Sequence, residues 1–157
     1  MRRRIRAAEG TTLVELVAAL TILGLLVLLA LSGFARLRGD RLAEGVAWEV
    51  TQVLRYAQQL AVARGGEWRA VRVHFSERVE IRGVRLDGAE TEVVTATNRF
   101  PEGVQVSPLT RPLVEFSRSG SPTPGSNQTI EVRAGTAVRY VVLSAQTGRV
   151  RVTHTRP

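Results

Sequence analysis

Glu15 is the only charged residue between Glu9 and Arg36, and it stands five residues after Gly10 at the head of a mostly apolar run. A carboxylate at the bilayer centre costs on the order of 2.5–3.5 kcal/mol, so its natural chemistry there is pairing with a cation. A second group lies at the far end of the chain, where Arg149 and Arg151 are two apart and Arg139 and Arg133 precede them. Residues two apart on a strand share a face. Such a row could track phosphates of double-stranded DNA in a salt-sensitive, sequence-independent way. Its alternative role is to keep an edge strand from pairing with another edge. Stacking aromatics are absent from this end apart from Tyr140, which favours duplex over single-stranded nucleic acid.

Other reactive side chains do not assemble into a centre. His74 and His154 are 80 residues apart with no partner at ligand spacing, so they read as exposed histidines, not a metal site. Ser119, Ser121 and Ser126 fall in one loop without a plausible Ser-His-Asp set. With no cysteine, neither a disulfide framework nor a thiolate metal site is possible. No cofactor and no small-molecule substrate is indicated, and an exported enzyme lacks a catalytic constellation. The tripeptide Asn127-Gln128-Thr129 fits a glycosylation sequon that is common by chance.

The elements that must position these groups are of two kinds. Residues 13–32 are twenty mostly apolar residues, about 30 Å of helix, enough to cross a hydrocarbon core. Beyond them, apolar residues recur three or four apart from Phe34 through Leu42, Val46, Val50 and Val53 to Ala61, the pattern of an amphipathic helix. No proline intervenes before Gly65-Gly66, a strong stop, so one helix over 12–64 would be roughly 80 Å long. Gly24, Gly33 and Gly39 are points where it could bend. After Gly66 the period changes to two. Strands are expected at 68–75, 78–86 with a bulge at Gly83, 92–97, 104–106, 113–118, 129–133, 137–144 and 149–153. They read as an antiparallel meander, with residues 119–127 as an exposed loop and a closing hairpin around Gln146-Thr147-Gly148. Trp48 and Trp68 are expected in the core where helix meets sheet. The fold class is α+β, a long N-terminal helix packed on an antiparallel β-sheet domain.

Charge is distributed unevenly. All 22 basic residues are arginine, and the formal net charge is +8. Residues 1–10 carry four arginines and one glutamate, residues 11–102 are balanced, and residues 103–157 hold seven arginines against Glu115 and Glu131. A one-sided basic excess points to an anionic partner: nucleic acid, lipid head groups or an acidic protein surface. The leading arginines favour a cytoplasmic start and an exported C-terminal region.

The basic stretch Met1-Arg2-Arg3-Arg4-Ile5-Arg6, then Gly10-Thr11-Thr12-Leu13-Val14-Glu15-Leu16, resembles the type IV prepilin signature. The resemblance implies that residues 1–10 are a leader, that prepilin peptidase cuts between Gly10 and Thr11, and that the amine of Thr11 is then methylated. It implies that residues 11–35 anchor the chain in the inner membrane and later line a filament core. There Glu15 would pair with the terminal amine of a neighbouring pilin or pseudopilin. Thr11 stands where the family usually has Phe. Residues 36–64 would be the amphipathic half of the helix and 67–157 the β domain, with 36–157 exported to the periplasm or cell surface. The strand order and the closing Gly148-Arg149-Val150-Arg151 resemble the GspH and FimT branch. That branch implies a minor pilin or type II secretion pseudopilin, or alternatively a pilin that receives DNA through Arg149 and Arg151 in natural transformation.

Overall fold

Among the residues that the computed structural model describes (12–95, 99–123 and 127–157), one helix precedes nine strands. The expected leader with Gly10 and Thr11, the expected strand end at Thr97, and residues 124–126 of the loop lie outside the described residues. The chain divides into two units after Ala35.

The helix α1 runs over Leu13–Ala63, one residue inside each expected end, and continues through Gly24, Gly33 and Gly39. Its start is a capping box. The hydroxyl oxygen of Thr12 accepts from the Glu15 N–H at 3.3 Å, and the Glu15 carboxylate accepts from the Thr12 N–H at 2.9 Å. In the first unit the most apolar 18-residue stretch has mean hydropathy 2.7 and none of it is buried. It is long and apolar enough to cross a membrane.

In the second unit the helix contributes a stripe of Val46, Ala47, Val50, Val53, Leu54, Ala57 and Ala61, all buried, at three- and four-residue intervals. Facing them are inward residues of two antiparallel sheets. The first sheet has the order β3-β2-β1-β5-β6, where β1 is Trp68–Phe75, β2 Val79–Arg85, β3 Glu90–Thr95, β5 Leu113–Ser117 and β6 Pro122–Thr123. The second has the order β4-β7-β8-β9, where β4 is Val104–Pro108, β7 Gln128–Ala134, β8 Ala137–Leu143 and β9 Val150–Thr153. Val71, Val73, Ile81, Val114 and Phe116 from the first, and Ile130, Val132, Val141, Leu143 and Val150 from the second, join the helix stripe in one core.

The strands therefore do not form a simple meander. β5 returns to pair with β1, and β7 pairs back with β4. Both sheets must turn an apolar face to the same helix, which divides the strands between two sheets. The residue expected to be a bulge, Gly83, sits in regular register between Val71 and Thr91. The irregularities fall instead between Trp68 and Ala70 on β1 and opposite Ile81 and Arg82 on β3. Gly83 is required for another reason: a Cβ there would lie 2.8 Å from the Trp68 ring.

Two side chains depart from expectation on the helix and first sheet. Trp68 packs against the core with the Arg64 guanidinium 5.6 Å from its ring centroid, but Trp48 is 49% exposed. Trp48 follows Ala47 and precedes Val50, so the helical turn that buries those two carries it to the outer side. His74, expected to be exposed, is half-buried on β1 with its Nε2 buried and unpartnered.

Candidate functional site: the amino-terminal carboxylate and the terminal strand

Glu15 is the first site. It lies in the opening turn of α1, where the positive end of the helix dipole favours an anion. Both the N–H and the hydroxyl of Thr12 donate to Glu15 Oε2, at 2.9 and 3.2 Å. Its carboxylate is exposed, so those two short-range donors hold it while leaving it open to a cation from elsewhere. The spacing Thr-x-x-Glu is a signal for this cap that sequence reading could have used.

The second site is built from the β8–β9 hairpin. Gly148 closes its turn with φ of 65°, a left-handed conformation that disfavours any side chain. The Gly148 N–H donates to the Ser144 carbonyl, and the Ser144 N–H to the Arg149 carbonyl. A Cβ on Gly148 would also lie 2.5 Å from Gln58 Nε2 on the helix. The same Gln58 amide donates to the carbonyl of Gly120 at 3.0 Å, in the turn between β5 and β6. One helix side chain thus fixes a turn from each sheet, and the glycine that opens Gly148-Arg149-Val150-Arg151 has a packing role.

From that turn Val150 enters the core, while Arg149 and Arg151 stand exposed on the opposite face. Neither guanidinium has a partner among the described residues. Arg133 and Arg139 do not join them. Arg133 lies on the outer face of β7 and donates to Glu131 Oε1 through Nη2 at 2.7 Å and Nε at 3.1 Å. Arg139 is in phase with Ala137, Val141 and Leu143, so it points inward; its side chain is 12% exposed. It donates to Asp40 Oδ1 on the helix at 3.3 Å and to the Val138 carbonyl at 3.0 Å, while its Nε is buried without a partner. The expected row of four arginines is a pair. Counting by twos from Val141 would have placed Arg139 inside.

His154 is exposed beyond β9, and Ser119 hydrogen-bonds with Ser117 and Ser121. A further charged array, missed in the sequence, lies across the first sheet. Arg72 donates to Glu115 at 2.7 Å and also bonds Glu90; Arg82 and Arg78 donate to Glu80 at 3.0 and 3.1 Å. The bond from Arg72 holds the Glu90 carboxyl below its usual range, and the bonds from Arg82 and Arg78 do the same for Glu80. His74 lies among these groups, and burial followed by the Arg82 charge pushes its imidazole below the ordinary value. Only alternation of opposite charges on paired strands would have revealed the array, and that needs the register.

Residues 47–148 match the sequence model of a family described as type II transport protein GspH. No curated protein sequence matches the chain. Among solved structures, the chain is similar to the type IV minor pilin FimU of Pseudomonas aeruginosa, with a TM-score of 0.56 at 20% identity over 70% of this chain and 87% of that one. It is also similar to the minor pseudopilin EpsH from the type 2 secretion system of Vibrio cholerae, with a TM-score of 0.56 at 17% identity over 71% of this chain and 96% of that one. These two likenesses concern the fold, a long helix against antiparallel sheets. The family match takes in the last third of the helix and every strand through the turn at Gly148. The chain belongs to the GspH family, as a pilin-like subunit of the minor pilin and pseudopilin kind that assembles with other pilins.

Proposed function

We propose that the chain is a non-enzymatic minor subunit, made with residues 1–10 as a leader and cut by prepilin peptidase between Gly10 and Thr11, with the Thr11 amine then methylated. Residues 11–35 hold it as a single span in the inner membrane, and residues 36–157 fold outside the cytoplasm. On assembly the apolar segment leaves the bilayer for the filament core, and Glu15 sets the register by pairing with the terminal amine of a neighbour.

The observation that carries this reading is Glu15, the one carboxylate in the apolar run, whose side chain among the described residues hydrogen-bonds to Thr12, one turn before it. An anion left in hydrocarbon is costly, and the cap lowers that cost while the subunit waits in the membrane. A neighbour's amine supplies the missing opposite charge.

Processing is tested by replacing Gly10 with a bulky residue, Gly10→Leu. The variant is expected to keep the mass of the uncut chain in cells where the wild type loses residues 1–10. An identical mature mass for both would remove Gly10 as the cleavage point.

A further inference from the structure

On the outer face of the second sheet a cavity of about 390 Å³ is lined by Asn127, Val142, Ser144, Thr147, Arg149 and Arg151. Its floor is Val142, which pairs with Arg151 across the ladder and faces away from Val141 and Leu143 of the core. Val142 is nonetheless only 5% exposed. Long arginine stems can cover an apolar residue while their heads stay in water. Around that floor the lining presents donors. The Asn127 carbonyl oxygen accepts from the Ala145 N–H at 3.0 Å, which fixes its amide and leaves the NH₂ without a partner among the described residues. Thr147 Oγ1 accepts from the Arg149 N–H at 3.3 Å, so its hydroxyl proton remains to donate. The Ser144 hydroxyl and both guanidiniums have no partner among the described residues. No lining residue is acidic.

We propose that this cavity binds an acidic side chain, Asp or Glu, presented by a segment of another protein. Paired guanidiniums match a carboxylate in plane and charge. The apolar floor suits the methylenes that carry such a group, and the volume exceeds that of one side chain, leaving room for the backbone of the segment that presents it. The frame is set before binding, because Gly148 is packed on Gln58 beneath the turn. Duplex DNA fits less well. Two unpartnered arginines give few phosphate contacts, Arg133 and Arg139 are engaged with acids, and Glu131 lies on the same outer face. The inference goes beyond filament assembly and does not depend on Glu15 or on processing.

The test uses the full chain in nonionic detergent micelles, titrated with the capped tripeptides acetyl-Gly-Glu-Gly-amide and acetyl-Gly-Gln-Gly-amide. Binding is followed by NMR at the Asn127 side-chain amide and the arginine Nε–H groups. The glutamate peptide is expected to shift these signals saturably and to bind at least about tenfold more tightly than the glutamine peptide. The double variant Arg149→Gln/Arg151→Gln, which keeps stems over Val142, is expected to lose that preference with its thermal midpoint unchanged. Equal affinity for the two peptides would overturn the proposal, as would a preference that survives in the double variant. A duplex of about 20 base pairs is titrated in parallel. Salt-sensitive duplex binding lost in the double variant, with neither peptide moving Asn127, would overturn the carboxylate site and give the arginines to DNA.

Discussion

Two arginines of the C-terminal region that look alike in sequence behave oppositely. Arg151 is exposed and without a partner among the described residues, so Arg151→Gln should change stability by no more than about 0.5 kcal/mol. Arg139 is largely buried against the helix and depends on Asp40 for its charged partner. Asp40→Ala is therefore expected to lower stability by about 1–3 kcal/mol, because it leaves a desolvated cation behind. Arg139→Met removes cation and orphaned Nε together and should fall within about 1 kcal/mol of the wild type. Thermal unfolding of the three variants in detergent checks the set; equal losses for Asp40→Ala and Arg139→Met would contradict the buried-cation argument. Gly148 carries a comparable argument about shape. Gly148→Ala should cost about 1–2 kcal/mol, from its φ of 65° and from the Gln58 amide 2.5 Å away from the new Cβ. In Gln58→Ala the second part disappears, so the double variant should lose less than the two single losses added. Strict additivity would show that Gln58 does not press on the turn.

Strands and helix show why the sequence was legible in some places and opaque in others. β1 matches its expected limits of Trp68–Phe75, since Val71 and Val73 alternate with Arg72 and His74. The closing hairpin of β8 and β9 was equally plain from Gln146-Thr147-Gly148. β6 was hidden, because Pro122–Thr123 sits in turn-forming residues and pairs only through Glu115 and Phe116. The division into two sheets was hidden too, since alternation says which residues face inward and not which strand is their neighbour. His74 takes its properties from that unreadable register, lying opposite Glu80 and Leu113. Its folded-state pKa is below the ordinary imidazole value, through burial first and the Arg82 and Arg72 charges beside it, with Glu90 and Glu80 opposing. Above both values the imidazole is neutral in both states and stability is full. As pH falls through about 6.5 the unfolded chain takes up the proton first, so stability declines. His74→Gln should flatten the decline between about pH 7 and 5. Glu80 and Glu90 have depressed pKa values, so their contribution is kept above the ordinary carboxylate range and lost only on further acidification. Denaturant midpoints measured across pH separate the two; an unchanged slope near pH 6 in the variant would contradict the assignment to His74.

The molecule as a whole joins an exposed apolar helical segment to a folded domain with its own core, and the family match lies on the second part. The helix of the first part was the more legible in sequence, because a long apolar run with no proline dictates it. The second part disclosed its strands but not its charge pairings: Arg133 and Arg139 find acids, and among the described residues Arg149 and Arg151 do not. Glu131 stands two residues from Arg133 on the same strand, a spacing the sequence carries, whereas Asp40 reaches Arg139 from a helix about a hundred residues away in the chain. Filament entry through Glu15 is most directly tested by shearing filaments from cells that carry either the wild-type chain or Glu15→Ala, and measuring the subunit in the sheared and membrane fractions. The wild type is expected in both fractions, and Glu15→Ala in the membrane alone at an undiminished total amount. Equal recovery of Glu15→Ala in the sheared filaments would contradict the pairing of Glu15 with a neighbouring subunit.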